Sequence, residues 1–166
     1  GCHAVDLLRW IAGDPIEVFG YGNHKMLKTW PTDDCNIAVM KFPDDVIGKV
    51  FCSTGCKREY TMRTCLYGSK GTIIVDNKSP KMSVYKSEVE GNEDLLGNKA
   101  YVTEIKIPVA VNNHNVADEI KVFVDALINN RDIDVNGKAG AATVAVCTAI
   151  LESCETSKPV KVDYNF

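Results

Sequence analysis

Between residues 16 and 109 the chain keeps reversing direction. No stretch there sustains the apolar recurrence at three and four residues that a helix needs. Short alternating segments appear instead, separated by Pro, Gly, Asp and Asn. "IEVFGYG", "NIAVMKF", "VIGKVFCST", "EYTMRTCLYG", "TIIVD", "MSVYKS" and "YVTEIKIPV" read as strands, and "PDD", "GSKG" and "NKSP" as the turns between several of them. "NHKMLKTWPTDD" and "EVEGNEDLLGNKA" are polar and irregular and read as loops. Strands joined by tight turns pair antiparallel.

Helical periodicity is confined to the two ends of the chain. Residues 2–12 carry a stripe of Val5, Leu8 and Ala12, flanked by Leu7 and Ile11, and stop at "GDP", where Gly13 can cap and Pro15 forbids continuation. "NVADEIKVFVDALINN" places Val116, Ile120, Phe123, Val124, Leu127 and Ile128 on one face, with Asp118 and Glu119 in the dipole-favoured first turn. "GKAGAATVAVCTAILESCETS" is apolar nearly all round, which predicts burial on more than one side, and "PVKVDY" closes as a short strand. Helices gathered at the two ends can cover one face of a sheet. The expected fold is therefore α+β: an open, predominantly antiparallel sheet, helices on one face, the other face left for an oligomer partner. Both faces of "NIAVMKF" and "VIGKVFCST" carry apolar side chains, which a solvated face would not.

At 166 residues the chain is long enough for one core. Acidic and basic residues are interleaved and the net charge is −3, so no basic stripe points to nucleic acid. "AGAATVAVCTAIL" is too short to span a bilayer, so no membrane partner is expected. Seven irregularly spaced cysteines suit a reducing, cytoplasmic setting better than a disulfide framework, and read as buried, inert thiols. Cys52 and Cys56 would share a face if both lay on one strand, but no second Cys/His pair completes a zinc site, and no metal is expected.

Gly20 and Gly22 supply half of a dinucleotide fingerprint. Lys25 stands where the third Gly belongs and no helix follows, so no cofactor-binding residue is assigned within this chain. "GSKGT" is too short for a phosphate loop and opens a strand. Three histidines remain. His24 lies in a polar loop and His114 just before a helix. His3 sits in the first turn of an apolar helix, where the dipole disfavours imidazolium and a neutral ring can act as a general base. A purely structural role for His3 is equally compatible with its position.

The opening "GCHAVDLLRWIAGDPIEVFG" resembles the segment G-x-H-x-[IV]-D-x-[LM]-x-[WF]-x-x-G-x-[PV]-x-x-V, which begins the second half of the glucose–fructose oxidoreductase/inositol dehydrogenase (Gfo/Idh/MocA) family. "DDCNIAVMKFPDDVIGKVFCST", "CLYGSKGTIIVDN" and the closing helix pair with its final strand resemble later segments of that family, in the same order. The resemblance implies that residues 1–166 are a C-terminal substrate-binding and oligomerisation domain, truncated at its start, whose parent carries an N-terminal Rossmann domain for NAD or NADP. It implies oxidoreduction of a hydroxyl or keto group on a sugar, cyclitol or related small molecule. His3 falls on the family's catalytic His, His114 near a substrate-contacting position, and Asp6 and Trp10 on positions read as structural, Trp10 packing the helix. The fragment alone is expected to be inactive and cofactor-free, and to form a homodimer or tetramer through the open sheet face. The alternative is a free-standing, non-enzymatic binding or dimerisation module of the same fold.

Overall fold

The structure, a computed structural model, describes residues 1–87, 102–109, 115–133 and 135–166. The elements run α1 (Cys2–Ala12), β1 (Glu17–Asn23), β2 (Cys35–Lys41), β3 (Ile47–Ser53), β4 (Arg63–Gly68), β5 (Gly71–Asp76), β6 (Lys81–Ser87), β7 (Val102–Pro108), α2 (Val116–Ile128), α3 (Gly137–Thr156) and β8 (Val160–Lys161). This is the expected order in an α+β fold whose strands all pair antiparallel. The loop expected over residues 88–100 and the site residue His114 lie outside the described residues.

The strands form two four-stranded sheets rather than one. The chain divides accordingly into two compact units, Gly1–Lys57 with Ala126–Phe166, and Arg58–Asp125. The first crossing between them falls after Lys57, in the stretch that joins β3 to β4. "EYTMRTCLYG" becomes a strand only from Arg63, because an Asn77 side chain takes up the preceding backbone: Met62 N–H donates to its Oδ1 at 2.9 Å and its Nδ2 donates to the Tyr60 carbonyl at 3.2 Å. Backbone groups satisfied by a side chain do not extend a ladder.

In the first unit the sheet order is β3-β2-β1-β8, with α1 and α3 packed on one face. The alternation of "NIAVMKF" sorts its residues cleanly. Ala38, Met40 and Phe42 point into the core with Val18, Val50, Val5, Val146, Ala149 and Ile150, whereas Ile37 and Val39 are exposed on the far side. The "PDD" turn closes the β2–β3 hairpin with Asp44 and Asp45 both at positive φ, as tight two-stranded turns prefer. Gly13 caps α1 at φ 83°, its N–H reaching the Arg9 carbonyl at 2.7 Å. The Asn136 side chain caps α3 by accepting from Ala139 N–H at 3.0 Å.

Three expectations about faces need correction. Trp10 does not pack α1: it is 83% exposed, because the buried stripe runs through Val5, Leu8 and Ala12 and Trp10 falls on the opposite side. Helix α3 is buried along one stripe only (Ala142, Thr143, Val146, Ala149, Ile150, Ser153), while Val144 and Leu151 are exposed. On α2 the stripe from Val116 to Ile128 is exposed, and Ala126 is the helix's buried residue.

The second unit is a meander, β4-β5-β6-β7. "GSKG" makes the β4–β5 hairpin turn as expected, with Gly68 opposite Gly71. Arg63 and Asp76, at paired positions, form an ion pair at 3.0 Å.

Candidate functional site

One end of the first unit's sheet gathers the residues of interest. There the last residue of β1, Asn23, pairs with Cys35 at the start of β2, and Cys35 with Ser53 at the end of β3. The first turn of α1 reaches the same end: the Cβ position of Gly1 lies 3.5 Å from Cys52 Cβ. His3 projects from that turn and is exposed, so its ring is accessible from solvent. No side chain caps this N-terminus.

The loop between β1 and β2 sits at this end too, and it is built around one carboxylate. Asp34 is 2% exposed. Its Oδ2 accepts the backbone N–H groups of Met26 and Leu27, each at 2.6 Å, and Oδ1 accepts that of Lys25 at 3.4 Å. Its own N–H donates to the Asn23 carbonyl at 3.0 Å, and its carbonyl accepts from Thr54 N–H at 2.9 Å and Thr54 Oγ1 at 3.2 Å. A single residue thus fastens the loop, the start of β2 and the exit of β3. The Leu27 amide foremost, then those of Met26 and Lys25, hold the carboxyl below its ordinary range against the opposing effect of burial. Gly55 is required here because a Cβ would come within 2.4 Å of Met26 Cβ. His24 lies on the loop, exposed, with Nε2 2.5 Å from the Leu27 carbonyl.

The far end of α1 is closed by Arg9, whose side chain is only 11% exposed. Its guanidinium pairs with Asp14 at 2.7 Å and donates to the Ala139 carbonyl at 3.0 Å and to Thr143 Oγ1 at 2.6 Å. Thr143 in turn donates to Asp6, which gives Asp6 the structural role expected of it. A cavity of about 250 Å³ lies beside this cluster, lined by Arg9, Asp14, Asn136, Lys138, Tyr164 and Phe166 among others. Burial, with the Asp14 charge second, pushes the Tyr164 phenol up to about 12. Arg9 lies six steps along the helix from His3, roughly 9 Å, and His3 is not among the cavity's lining residues.

Of the sequence-derived site residues, His3 is thus found at an exposed helix start beside an ordered loop. Gly20 and Gly22 lie inside β1, laddered to Ala38 and Asn36, and cradle nothing. The cysteines are not buried: Cys2, Cys56 and Cys65 are exposed and the other four are half-buried. Cys56 falls beyond the end of β3, so it does not share a strand with Cys52. Among the described residues no group of three His, Cys, Asp or Glu is placed to hold a metal ion, and no helix is long and apolar enough to cross a membrane. Two residues with central roles escaped the sequence reading. Asp34 stood only at the end of a stretch read as a polar loop. Ser153 lay inside an apolar run, yet it is fully buried, accepting from Gly20 N–H at 3.0 Å and donating to the Lys158 carbonyl at 2.6 Å.

A family model described as the C-terminal alpha/beta domain of an oxidoreductase family (Gfo/Idh/MocA) matches residues 1–162. Similar solved structures include levoglucosan dehydrogenase in complex with NADH and levoglucosan (16% identity, TM-score 0.79, covering 98% of this chain and 49% of that one). UDP-N-acetylglucosamine 3-dehydrogenase from Acidithiobacillus ferrooxidans is also similar (19%, TM-score 0.77, 93% and 47%). So is an oxidoreductase domain protein from Kribbella flavida (17%, TM-score 0.75, 98% and 50%). At these identities the likeness is one of fold, and the chain spans about half the length of each structure. With the family model matching nearly all of its length, the chain belongs to the Gfo/Idh/MocA oxidoreductase family, as its C-terminal alpha/beta domain.

Proposed function

We propose that residues 1–166 form the substrate side of an NAD(P)-dependent oxidoreductase acting on a hydroxyl or keto group of a sugar, cyclitol or related polyol. The observation that carries this reading is the exposed His3, in the first turn of α1 of a domain matched by the family model, beside a loop fixed by Asp34. In the oxidative direction the His3 imidazole takes the proton of the reacting hydroxyl as its carbon becomes a carbonyl. The loop 24–33 offers donors to a polyol: Lys25 and Lys28 are exposed on it, as is Trp30, whose ring can lie against a sugar face. His114 is proposed as a further substrate contact.

The nicotinamide cofactor supplies a hydride acceptor or donor. The described residues do not fit it, since the only Gly-x-Gly pair of this chain is locked inside β1. Its binding is therefore proposed to reside in a Rossmann domain preceding residue 1, and the isolated chain to be inactive. Two comparisons favour this chemistry: one similar structure is a levoglucosan dehydrogenase in complex with NADH and levoglucosan, and another is a UDP-N-acetylglucosamine 3-dehydrogenase. A cytoplasmic location is proposed with it.

The same reading includes a homodimer or tetramer through the sheet face opposite α1 and α3. Register places Tyr21, Ile37 and Phe51 in one row of that face and Phe19 and Val39 in the next. Ile37, Val39, Phe51 and Tyr21 are exposed, and Phe19 meets Tyr21 edge-on at 5.0 Å. A contiguous exposed apolar patch on a lone subunit marks an interaction surface, and a two-fold pairing would cover it on both copies.

The test is a spectrophotometric screen of the longer protein with NAD⁺ and NADP⁺ against sugars, cyclitols and their keto forms, run beside the 166-residue chain. Substrate-dependent reduction by the longer protein alone is expected. No turnover with any polyol, or saturable micromolar cofactor binding by the 166-residue chain, would overturn the assignment and favour the non-enzymatic module.

A further inference from the structure

Helices α1 and α3 run antiparallel and are stitched together in steps of about one turn. Arg9 bonds the Ala139 carbonyl and Thr143, and Asp6 bonds Thr143. Continuing the same progression, four residues back on α1 and four onward on α3, brings Cys2 opposite Cys147. The residues at this contact are small, with Ala139, Ala142 and Thr143 on the α3 side. Helices packed at about 8 to 10 Å, with Cα atoms on cylinders of about 2.3 Å radius, bring facing Cα atoms to roughly 3.4 to 5.4 Å. The upper half of that range overlaps the span of about 4.4 to 6.8 Å that a disulfide bridges. The two thiols differ in the way a redox pair requires. Cys2 is exposed at the start of α1, and Cys147 is half-buried against the core.

We propose that Cys2 and Cys147 are a peroxide-sensitive dithiol that closes the first turn of α1 onto α3. The exposed Cys2 thiolate attacks a hydroperoxide. The O–O bond breaks, water or an alcohol leaves, and Cys2 becomes a sulfenic acid. The Cys147 thiol, giving up its proton, then attacks the Cys2 sulfur and displaces a second water, so that the S–S bond forms as the peroxide takes up two electrons. Burial raises the Cys147 thiol, and the nearby Cys2 and Asp6 act in the same direction, which keeps Cys147 protonated and assigns it the resolving role rather than the initiating one. The consequence falls on the neighbouring residue. His3 rides on the same turn, so the bridge would fix the backbone from which it projects. The chemistry of the pair does not depend on the dehydrogenase reading, although its effect on turnover does.

Peptide mapping of the fully reduced chain after one equivalent of hydrogen peroxide tests this. The intact mass should fall by about 2 Da, and a tryptic digest without reductant should join the Gly1–Arg9 peptide to the peptide of residues 139–161. That second peptide also contains Cys154, so the variants decide the partner. The link should persist in Cys154→Ser and vanish in Cys2→Ser and in Cys147→Ala, with far-UV circular dichroism of each matching wild type. Dithiothreitol should restore the original mass. A link that survives Cys147→Ala, a bridge to Cys52 or Cys154 instead, or oxygen adducts without any cross-link would each overturn the proposal. If the Cys147→Ala variant does not fold, the cross-linked peptide of Cys154→Ser still decides it.

Discussion

Deleting the hydroxyl of Ser153 should unsettle the first unit far more than a Ser→Ala change on a helix normally does. Ala is the better helix former, so intrinsic propensity favours the substitution by a few tenths of a kcal/mol. Against this stand two hydrogen bonds made by a fully buried oxygen, to Gly20 N–H at 3.0 Å and to the Lys158 carbonyl at 2.6 Å. Each is worth about 0.5–1.5 kcal/mol net, and a buried N–H left without an acceptor costs about 1–3 kcal/mol. Gly20 is itself buried under α3, where water cannot readily replace the hydroxyl. The expected net loss is about 1.5–3 kcal/mol. Trp10 and Trp30, the protein's two tryptophans, both lie in the first unit, so urea unfolding followed by their fluorescence reports that unit. Thr148→Ala, on the exposed side of the same helix, is the control and should stay within about 0.5 kcal/mol of wild type. A Ser153→Ala midpoint indistinguishable from that of Thr148→Ala would refute the reasoning.

Gly20→Ala should destabilise the same unit, because the new Cβ would come 3.1 Å from Cys154 Sγ and 3.3 Å from both Ile150 Cγ2 and the Ile37 carbonyl oxygen; an unchanged unfolding midpoint would mean α3 moves away freely. For Asp34 the sign follows from its lowered carboxyl. The stabilisation is present above the unfolded carboxyl range, about pH 4, and is lost as pH falls through the lower folded value. Asp34→Asn should therefore be less stable than wild type at pH 7, with the gap narrowing in acid titrations followed by fluorescence, and a pH-independent gap would contradict the charge argument. On the exposed sheet face, Ile37→Lys together with Phe51→Lys should leave the fold intact and turn any concentration-dependent oligomer into monomer by sedimentation velocity. A wild-type chain that stays monomeric over a tenfold concentration range would remove the sheet-face assembly from the account.

The strands and helices were legible because their signals are local. The alternation of "NIAVMKF", the Gly13 and Pro15 stop after α1 and the polar–apolar phase of residues 116–128 each depend on a few neighbours. Hidden features depended on distant partners. Nothing near Ser153 announces that it will meet Gly20, 133 residues away, in an otherwise apolar run. Asn77 competes for the backbone at Tyr60 and Met62 from across a hairpin, so the late start of β4 and the division into two sheets could not be read from the alternation of "EYTMRTCLYG". Trp10 misled for the opposite reason: its match to a family position suggested that it packs the helix, while the helical phase set by Val5 and Leu8 turns it outward. At the site, His3 was legible as a residue type at a helix start. The Asp34 cradle was not, because its acceptors serve backbone amides seven to nine residues back along an irregular loop.

His3 is the group proposed to handle the substrate proton. The direct measurement is kcat of the longer protein with its best polyol substrate, for wild type and His3→Ala, with thermal unfolding recorded for both. Because His3 is exposed and outside the core cluster, the unfolding curves should coincide. The variant's kcat should fall by about 10²–10⁴-fold, the usual contribution of a positioned acid–base group. Wild-type turnover in the His3→Ala protein, with both proteins folded, would contradict the claim and leave His3 a surface residue at the start of α1.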